Sequence, residues 1–460
     1  MTVAATRPPA FAVRFSMLTR WDVKSYAARL VSRYPMAQLG GLIAEHNEKV
    51  RLSERPRETF RILGVDNLRG VFHAYDAAGA AINQSYKRVA AGDLVYNPYR
   101  VNVGSIGMVP GALAGAYVSP AYVVFSVDGS RLAPELLLLV LKSDWYNPSL
   151  RAATAGSVRQ NLTFELLQTI GVPLPSRRVQ GVIVDRWRSA QERIAEIRHE
   201  VTALENGIPS VVYETLGTST RASAGPTPKY MAFRWKDLDR WSVNHLARWR
   251  ARLVGFSESR YPIVPLGECI VETANGYCIR PTAHPTPHRM LKLSALTPAG
   301  LDVEETKYVR VTERIAERFH VRKGDLLICR SVGSYHLIGK CAVVEGAAPG
   351  ILFPDIIIRV RVGPSLMAEY AREVIQTPLG RSYFQSAART AVGMWKIGAD
   401  DIRSFPIPVP PLEVQREIVG EVEGVRSSIA RLRFQAQKAE MAADQEMEAL
   451  LLGLSPGGKP

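Results

Sequence analysis

Residues 173–184 read PLPSRRVQGVIV, and residues 408–419 read PVPPLEVQREIV. Each begins with Pro-x-Pro, keeps Val-Gln at the same place (Val179-Gln180 and Val414-Gln415), and runs into apolar residues spaced alternately by four and three. In the first copy these are Ile183, Trp187, Ala190, Ile194, Ile197, Val201, Leu204 and Ile208. In the second they are Ile418, Val422, Val425, Ile429, Leu432, Ala436, Ala439 and Ala443. A period of 3.5 residues draws a narrow apolar stripe down a helix, as in a seam buried against a second helix. The positions between are charged, as in RWRSAQERIAEIRHE (residues 186–200). A helix over Ile183–Ile208 would run about 39 Å at roughly 1.5 Å per residue. Matching register in the two copies predicts that the two helices bury their seams on each other.

Outward from this pair the repetition widens. LTRWDVKSYAARLVSRYPMAQLGGLI (residues 18–43) is answered by LDRWSVNHLARWRARLVGFSESRYPIVPLGECI (residues 238–270). Arg20-Trp21 matches Arg240-Trp241, Ser32-Arg33-Tyr34-Pro35 matches Ser259-Arg260-Tyr261-Pro262, and Leu39-Gly40 matches Leu266-Gly267. Gly92-Asp93-Leu94-Val95 followed by Arg100 answers Gly324-Asp325-Leu326-Leu327 followed by Arg330. Ordered matches at an offset of about 220 to 235 residues predict two copies of one unit.

VSPAYVVFSV, DLLICR, KCAVVE and FPDIIIRVRV are rich in β-branched and aromatic residues and read as strands. SLMAEYAREVIQTPLGRSYFQSAAR and LAPELLLLVLKSDWYN read as helices, with Pro134 and Glu135 in a first turn. The expected fold class is α+β: two tandem similar domains, each followed by a long coiled-coil-forming helix, the two helices packing together. The bodies are placed at 1–175 and 230–410, and the long helices at 176–213 and 411–453. A Gly/Ser/Thr/Pro-rich linker occupies 214–229, and a frayed tail 454–460.

Lys and Arg number 58 against 43 Asp and Glu, a net charge of +15. Such an excess suits a polyanion, nucleic acid before an anionic membrane, because neutralised phosphates release counterions. Hydrophobic content of 47% and charged content of 22% exclude a disordered chain. The longest apolar run, Leu136–Leu141, is too short to cross a bilayer. MTVAATRPPAF lacks the apolar core of a signal peptide, and the four cysteines (Cys269, Cys278, Cys329, Cys341) include no CxxC pair. A reducing cytoplasm is the expected location, with no membrane partner.

Residues 92–102, GDLVYNPYRVN, invite comparison with the Asn-Pro-Pro-aromatic loop of adenine methyltransferases. Asn97-Pro98-Tyr99 lacks the second proline, and Gly104-Ser-Ile-Gly107 runs into Met-Val-Pro-Gly, which cannot open a cofactor-binding helix. The matching stretch in the second copy is Leu327-Ile328-Cys329-Arg330, so the shared element is the Gly-Asp-apolar-apolar run and not the Asn-Pro. A restriction-type nuclease needs acids and a lysine after Pro354-Asp355, where the chain reads IIIRVRVG. Cys269, Cys278, His284 and His288 form Cys-x8-Cys-x5-His-x3-His, too widely spaced for a zinc knuckle, so no metal is assigned. No catalytic residue is assigned either.

What remains is binding. Arginine, lysine and polar residues gather in Gly-flanked segments read as loops: YNPYRVNVGSIG, CRSVGSYHLIGK, TAGSVRQNL and ARTAVGMWK. Such loops can approach a phosphate backbone and read base edges. The DNA-contact candidates are Asn97, Tyr99, Arg100, Asn102, Ser105, Arg159 and Gln160 in the first copy. In the second they are Arg330, Ser331, Ser334, Tyr335, His336, Lys340, Arg389 and Lys396.

The order and duplication of these features resemble the specificity (S) subunit of type I restriction-modification systems over essentially the whole chain. Late Gly segments, Gly156-Ser-Val-Arg159 and Gly393-Met-Trp-Lys396, complete the likeness. Ser176-Arg177-Arg178 stands where the second copy has the more typical Pro411-Leu412-Glu413, a departure that concerns only the local helix start. The resemblance implies that each body is a target recognition domain for half of a bipartite double-stranded DNA site. It implies that the helices form a spacer that also docks the modification subunits. Partners would be two methyltransferase subunits bringing S-adenosylmethionine and restriction/translocase subunits using ATP and Mg, with no cofactor in this chain. The competing readings are a stand-alone adenine methyltransferase-like enzyme and a scaffold that does not read DNA.

Overall fold

The structure, a computed structural model, describes residues 32–99, 104–143, 146, 147, 150, 161–218, 256, 259–346, 348–391 and 393–454. It divides into two compact units, Met1–Glu196 with Gln435–Pro460, and Ile197–Phe434, so the division falls inside both long helices. Each unit mixes helices with antiparallel sheet.

The first unit contains β1 (Met36–Gln38), β2 (Ile43–Glu45), β3 (Leu94–Tyr96), β4 (Ile106–Met108), β5 (Val123–Val127), helix α1 (Pro134–Lys142), helix α2 (Phe164–Gln168) and β6 (Gly171–Pro173). Helix α3 (Arg177–Leu216) begins here. The four-stranded sheet has the order β2-β5-β3-β4, and β1 pairs separately with β6. Strand β3 is buried on both faces. Alternation sends Leu94 and Tyr96 to the cluster under α1, and Val95 to a second cluster with Leu63, Val71 and Val118.

The second unit repeats the plan with β7 (Ile263–Pro265), β8 (Ile270–Asn275), β9 (Leu326–Cys329), β10 (Ser331–Val332), β11 (Cys341–Val343), β12 (Ile357–Val362), α4 (Ala368–Gln376), α5 (Pro378–Ala387), β13 (Arg389–Ala391), β14 (Met394–Lys396), β15 (Pro406–Pro408) and α6 (Leu412–Leu452). Its sheet order is β8-β12-β9-β11, with β7 paired to β15. Strand β9 again splits its side chains, Leu326 and Ile328 to one core and Leu327 and Cys329 to the other. A strand covered on both faces needs an unbroken apolar run, which is why both copies carry one.

The Gly-Asp before each of these strands has a backbone cause. Gly92 and Gly324 sit at φ 84° and 85°, where a side chain is strained. Asp93 Oδ2 accepts from the Ala90 N–H at 2.8 Å, and Asp325 Oδ2 from the Arg322 N–H at 2.8 Å. The repeated Gln is a lock. Gln180 accepts the Ala133 N–H and donates to the carbonyls of Arg131 and Pro175. Gln415 accepts the Met367 N–H and donates to Ser365 and Pro410. Both glutamines are almost fully buried, and each ties the start of its long helix to the body beneath it.

The Ser-Arg-Tyr-Pro motifs serve helix ends. Ser259 Oγ and the Arg260 N–H both donate to the Leu216 carbonyl, next to Gly217 at φ 67°. Ser32 Oγ donates to Leu451 and the Arg33 N–H to Leu452, next to Gly453 at φ 72°. The last carbonyls of α3 and α6 thereby gain donors they would otherwise lack. In the first unit the motif closes the end of the chain's last helix.

The two long helices start at matching positions, Arg177 and Leu412, so the Ser-Arg-Arg departure leaves the helix start unchanged. Helix α3 continues through Pro209 to Leu216, beyond the Ile208 at which its heptad pattern stops. In the second unit Val201, Ile429 and Leu432 are buried together, with Ile197, Leu204, Ile208 and Val425 against them, while Ile418 and Val422 join Val212 and Leu216 in the body core. In the first unit Ile183 lies with Met447 and Leu451, Trp187 packs against that cluster, and Ile194 is buried. Ion pairs flank the seams, Arg186–Glu446 at 2.6 Å in the first unit and Arg433–Glu205 in the second.

Candidate nucleic-acid interface

In the second unit the segment ARTAVGMWK, expected as a loop, is a β-hairpin. Gly393 turns it at φ 71°, and β14 pairs with β13 on one side and with β10 on the other. Across this three-stranded sheet Ser331, Lys396 and Arg389 stand in one row, and Val332, Trp395 and Thr390 in the next. Neighbours in a row share a face, so a polar row alternates with one containing Trp395. Arg389 and Lys396 are exposed, whereas Ser331 is buried, leaving little of its side chain to offer a ligand. Arg389 donates to Asp401 Oδ1 at 3.4 Å.

The other candidates of this unit border the sheet. Tyr335 meets Trp395 edge-on at 4.7 Å between ring centroids, and the exposed His336 ring lies 6.0 Å from Tyr335. Ser334 is exposed, and Lys340 is half-buried. Arg330 is half-buried; its backbone N–H donates to Ile356 O at 2.9 Å, and its Nη1 reaches Asp355 O only at 3.4 Å. Its Nε is buried with no hydrogen-bond partner among the described residues. Burial, reinforced by the neighbouring Arg381 guanidinium, lowers the Lys340 pKa below the ordinary lysine range.

In the first unit Asn97 Oδ1 accepts the Tyr99 N–H at 3.0 Å, an Asx turn that leaves Tyr99 exposed. Ser105 is buried. Arg100, Asn102, Arg159 and Gln160 lie outside the described residues. The tip of the hairpin 59–78 belongs to the same surface: a side chain at Gly104, φ 79°, would run into Asn67. Next to Asn67 the Leu68 side chain is 94% exposed.

The strand register corrects one sequence equivalence. Asn97 N–H donates to Ser105 O as Cys329 N–H donates to Lys340 O, and Leu162 N–H donates to Pro98 O as Ile397 N–H donates to Arg330 O. Arg330 therefore occupies the place of Pro98, not of Arg100. Equal spacing from the shared Gly-Asp gives the same match, and the backbone pairing agrees with it. Sequence reasoning also missed Trp395, Arg381 and the Asn67–Arg69 tip. Trp395 had a legible signal, since it is an aromatic residue beside Lys396 in a segment that contains Gly393; the other two had none.

Among the described residues no group of three or more His, Cys, Asp or Glu side chains converges. His288 faces Glu313 at 3.1 Å and Cys278 is exposed, while Cys269 is buried. Among the described residues no helix is long and apolar enough to cross a membrane.

No protein-family model matches the chain. It is 20% identical over 283 residues to the type I restriction enzyme EcoKI specificity subunit of Escherichia coli K12, covering 61% of this chain and 56% of that protein. It is 22% identical over 191 residues to the EcoEI specificity subunit of Escherichia coli, covering 40% of this chain and 32% of that one. The matched region thus spans about half the length of the first relative and a third of the second. A solved chain from work on complex assembly and conformational transition of a type I R-M system superposes with a TM-score of 0.55 at 17% identity, over 91% of this chain and 96% of that chain. The resemblance to type I specificity subunits therefore holds in both sequence and fold.

Proposed function

We propose that this chain is the DNA-recognition subunit of a type I restriction-modification complex and performs no chemistry itself. Bodies 1–175 and 230–410 act as target recognition domains, each reading one half of a bipartite double-stranded site. The long helices set the gap and dock two methyltransferase subunits, which bring S-adenosylmethionine. Restriction/translocase subunits using ATP and Mg join the same assembly, which works in the cytoplasm. The seam-bearing stretch of about 39 Å is close to one turn of B-DNA, about 34–36 Å, a spacing that suits two successive major grooves.

The observation that carries this reading is the duplicated construction around β3 and β9. Twice the fold invests a doubly buried strand, a Gly-Asp turn and a glutamine lock, and twice the strand leads directly into a polar segment. The rigid part is repeated while the segment it holds differs, Asn97-Pro98-Tyr99 against Cys329-Arg330-Ser331. That division suits two readers of unlike half-sites.

The test is a methylation map of cells with and without the gene, supplied with cognate modification subunits. A bipartite adenine motif that appears only with the gene is the expected outcome. An unchanged map, or tight 1:1 binding of S-adenosylmethionine by the isolated chain, overturns the proposal.

A further inference from the structure

We infer that the second unit carries a phosphate clamp, formed by Lys340 and Arg381, whose two positions hold uncharged residues in the first unit. The inference rests on the DNA-recognition reading and assigns the ligand as a backbone phosphodiester.

The geometry begins on α5. Arg381 and Phe384 lie three residues apart and so share one face of the helix. Phe384 packs under Gly339, whose φ of 72° and lack of a side chain allow the close approach. Arg381 Nη2 donates to the His336 carbonyl. The turn 335–340 is thereby pressed onto α5, with Arg381 bonded to its first half and Lys340 closing it through an N–H bond to Leu337 O at 3.1 Å. Arg381 Nη1 is buried and has no hydrogen-bond partner among the described residues. No carboxylate pairs with Lys340 or Arg381 among those residues, and Glu373 of the preceding helix is occupied by Arg372 and Arg426. The thiols nearest Arg381, Cys329 and Cys341, are held neutral by burial.

Two half-buried cations gathered at one turn, with no carboxylate partner among the described residues, are unfavourable. An anion between them removes the repulsion and supplies the acceptor that Arg381 Nη1 lacks. A phosphodiester fits, because the polar row Lys396–Arg389 and the exposed Ser334 and His336 lie on the same part of the unit.

The described part of the first unit has the same frame with uncharged residues at the two positions. Ser105 holds the Lys340 position by backbone pairing. Ser143 and Thr377 each donate from the side chain to the valine carbonyl three residues back, Val140 and Val374, at 2.7 Å. Asn147 follows Ser143 by four residues, as Arg381 follows Thr377. Serine and asparagine thus stand where the second unit has lysine and arginine, so this pair of cations is not repeated at the matching described positions.

The test measures binding of the full chain to labelled duplexes across a salt series, for wild type, Lys340→Gln, Arg381→Gln and the double variant. Removing one shared phosphate interaction is expected to flatten the slope of log affinity against log salt by about 0.9. Affinity should fall about tenfold, equally on specific and unrelated duplexes, with the double variant no worse than the weaker single one. In a second arm, inorganic phosphate should raise the melting temperature of wild type more than that of either variant. An unchanged salt slope in both folded variants, or a loss confined to one sequence, overturns the clamp. Stabilisation by inorganic phosphate with an unchanged DNA slope identifies a free-anion site and overturns the backbone assignment. Failure of wild type itself to bind duplex DNA with any salt dependence instead refutes the recognition reading, and the phosphate arm still reports on the cation pair. Lys340→Gln, at a half-buried turn position, keeps the test open if Arg381→Gln does not fold.

Discussion

Arg426 of α6 donates both terminal guanidinium nitrogens to the carboxylate of Glu373 in α4, at 2.7 and 2.6 Å. Glu373 also accepts from Arg372, itself buried and bonded onward to Glu345 at 2.7 Å. A buried carboxylate therefore joins α4 of the second body to its long helix, beside the Gln415 bonds and the buried Ile418 and Val422. Glu373→Gln should destabilise the second unit by about 3–5 kcal/mol, because the poorly solvated Arg426 loses its counter-charge and Arg372 keeps only Glu345. Urea unfolding followed by tryptophan fluorescence checks this. A cost below about 1 kcal/mol would show that the arginines find other partners.

Gln180 and Gln415 make matching bonds, so their truncations should cost alike. Gln180→Ala and Gln415→Ala each strand two carbonyls and one amide, an expected loss of about 1–3 kcal/mol apiece. Hydrogen exchange should quicken at Ala133 in the first variant and at Met367 in the second, without crossing between them. Exchange that quickens at both amides in either variant contradicts the local role.

Burial raises the thiol pKa of Cys329 to about 11 and of Cys341 to about 12, above an ordinary value near 9. A folded-state pKa raised this way favours the neutral form, so its stabilising share is complete below pH 9 and is lost as pH rises toward the folded values. Each tenfold weakening of thiol acidity corresponds to about 1.4 kcal/mol, so the urea midpoint should fall steadily between about pH 9 and 11. Cys341→Ala should blunt that fall. The exposed Cys278 should react with a thiol reagent in the native protein well before the three buried cysteines.

Trp395→Ala and Lys396→Ala are expected to relax one half of the methylated motif and leave the other intact, at about 1–3 kcal/mol for each base edge no longer read. Methylation mapping of cells carrying each variant reads this directly. A change in both halves together would detach the β13–β14 hairpin from half-site reading.

Local order was legible in the residues. The heptad seams, the doubly buried Leu94–Tyr96 and Leu326–Cys329 runs and the proline-marked helix starts depend on side-chain periodicity, which neighbouring residues encode by themselves. The candidate surface was legible only in part. Tyr335, His336, Lys396 and Arg389 do gather around one small sheet, whereas Ser105 and Ser331 turn inward. Composition marks a residue as polar but does not say which side of a strand it takes when its neighbours pair.

By itself, then, the sequence determined that the chain is a duplication, where each long helix begins, and which strand crosses the centre of each body. Tertiary structure alone decided that residues 389–396 pair as a hairpin, that Ser32-Arg33 closes the end of α6, and that Arg381 reaches the turn carrying Lys340. The physical reason is range. Periodicity and turn chemistry act within a few residues, while backbone pairing, helix-end capping and charge neighbourhoods join segments far apart in the chain, and their register is set by packing.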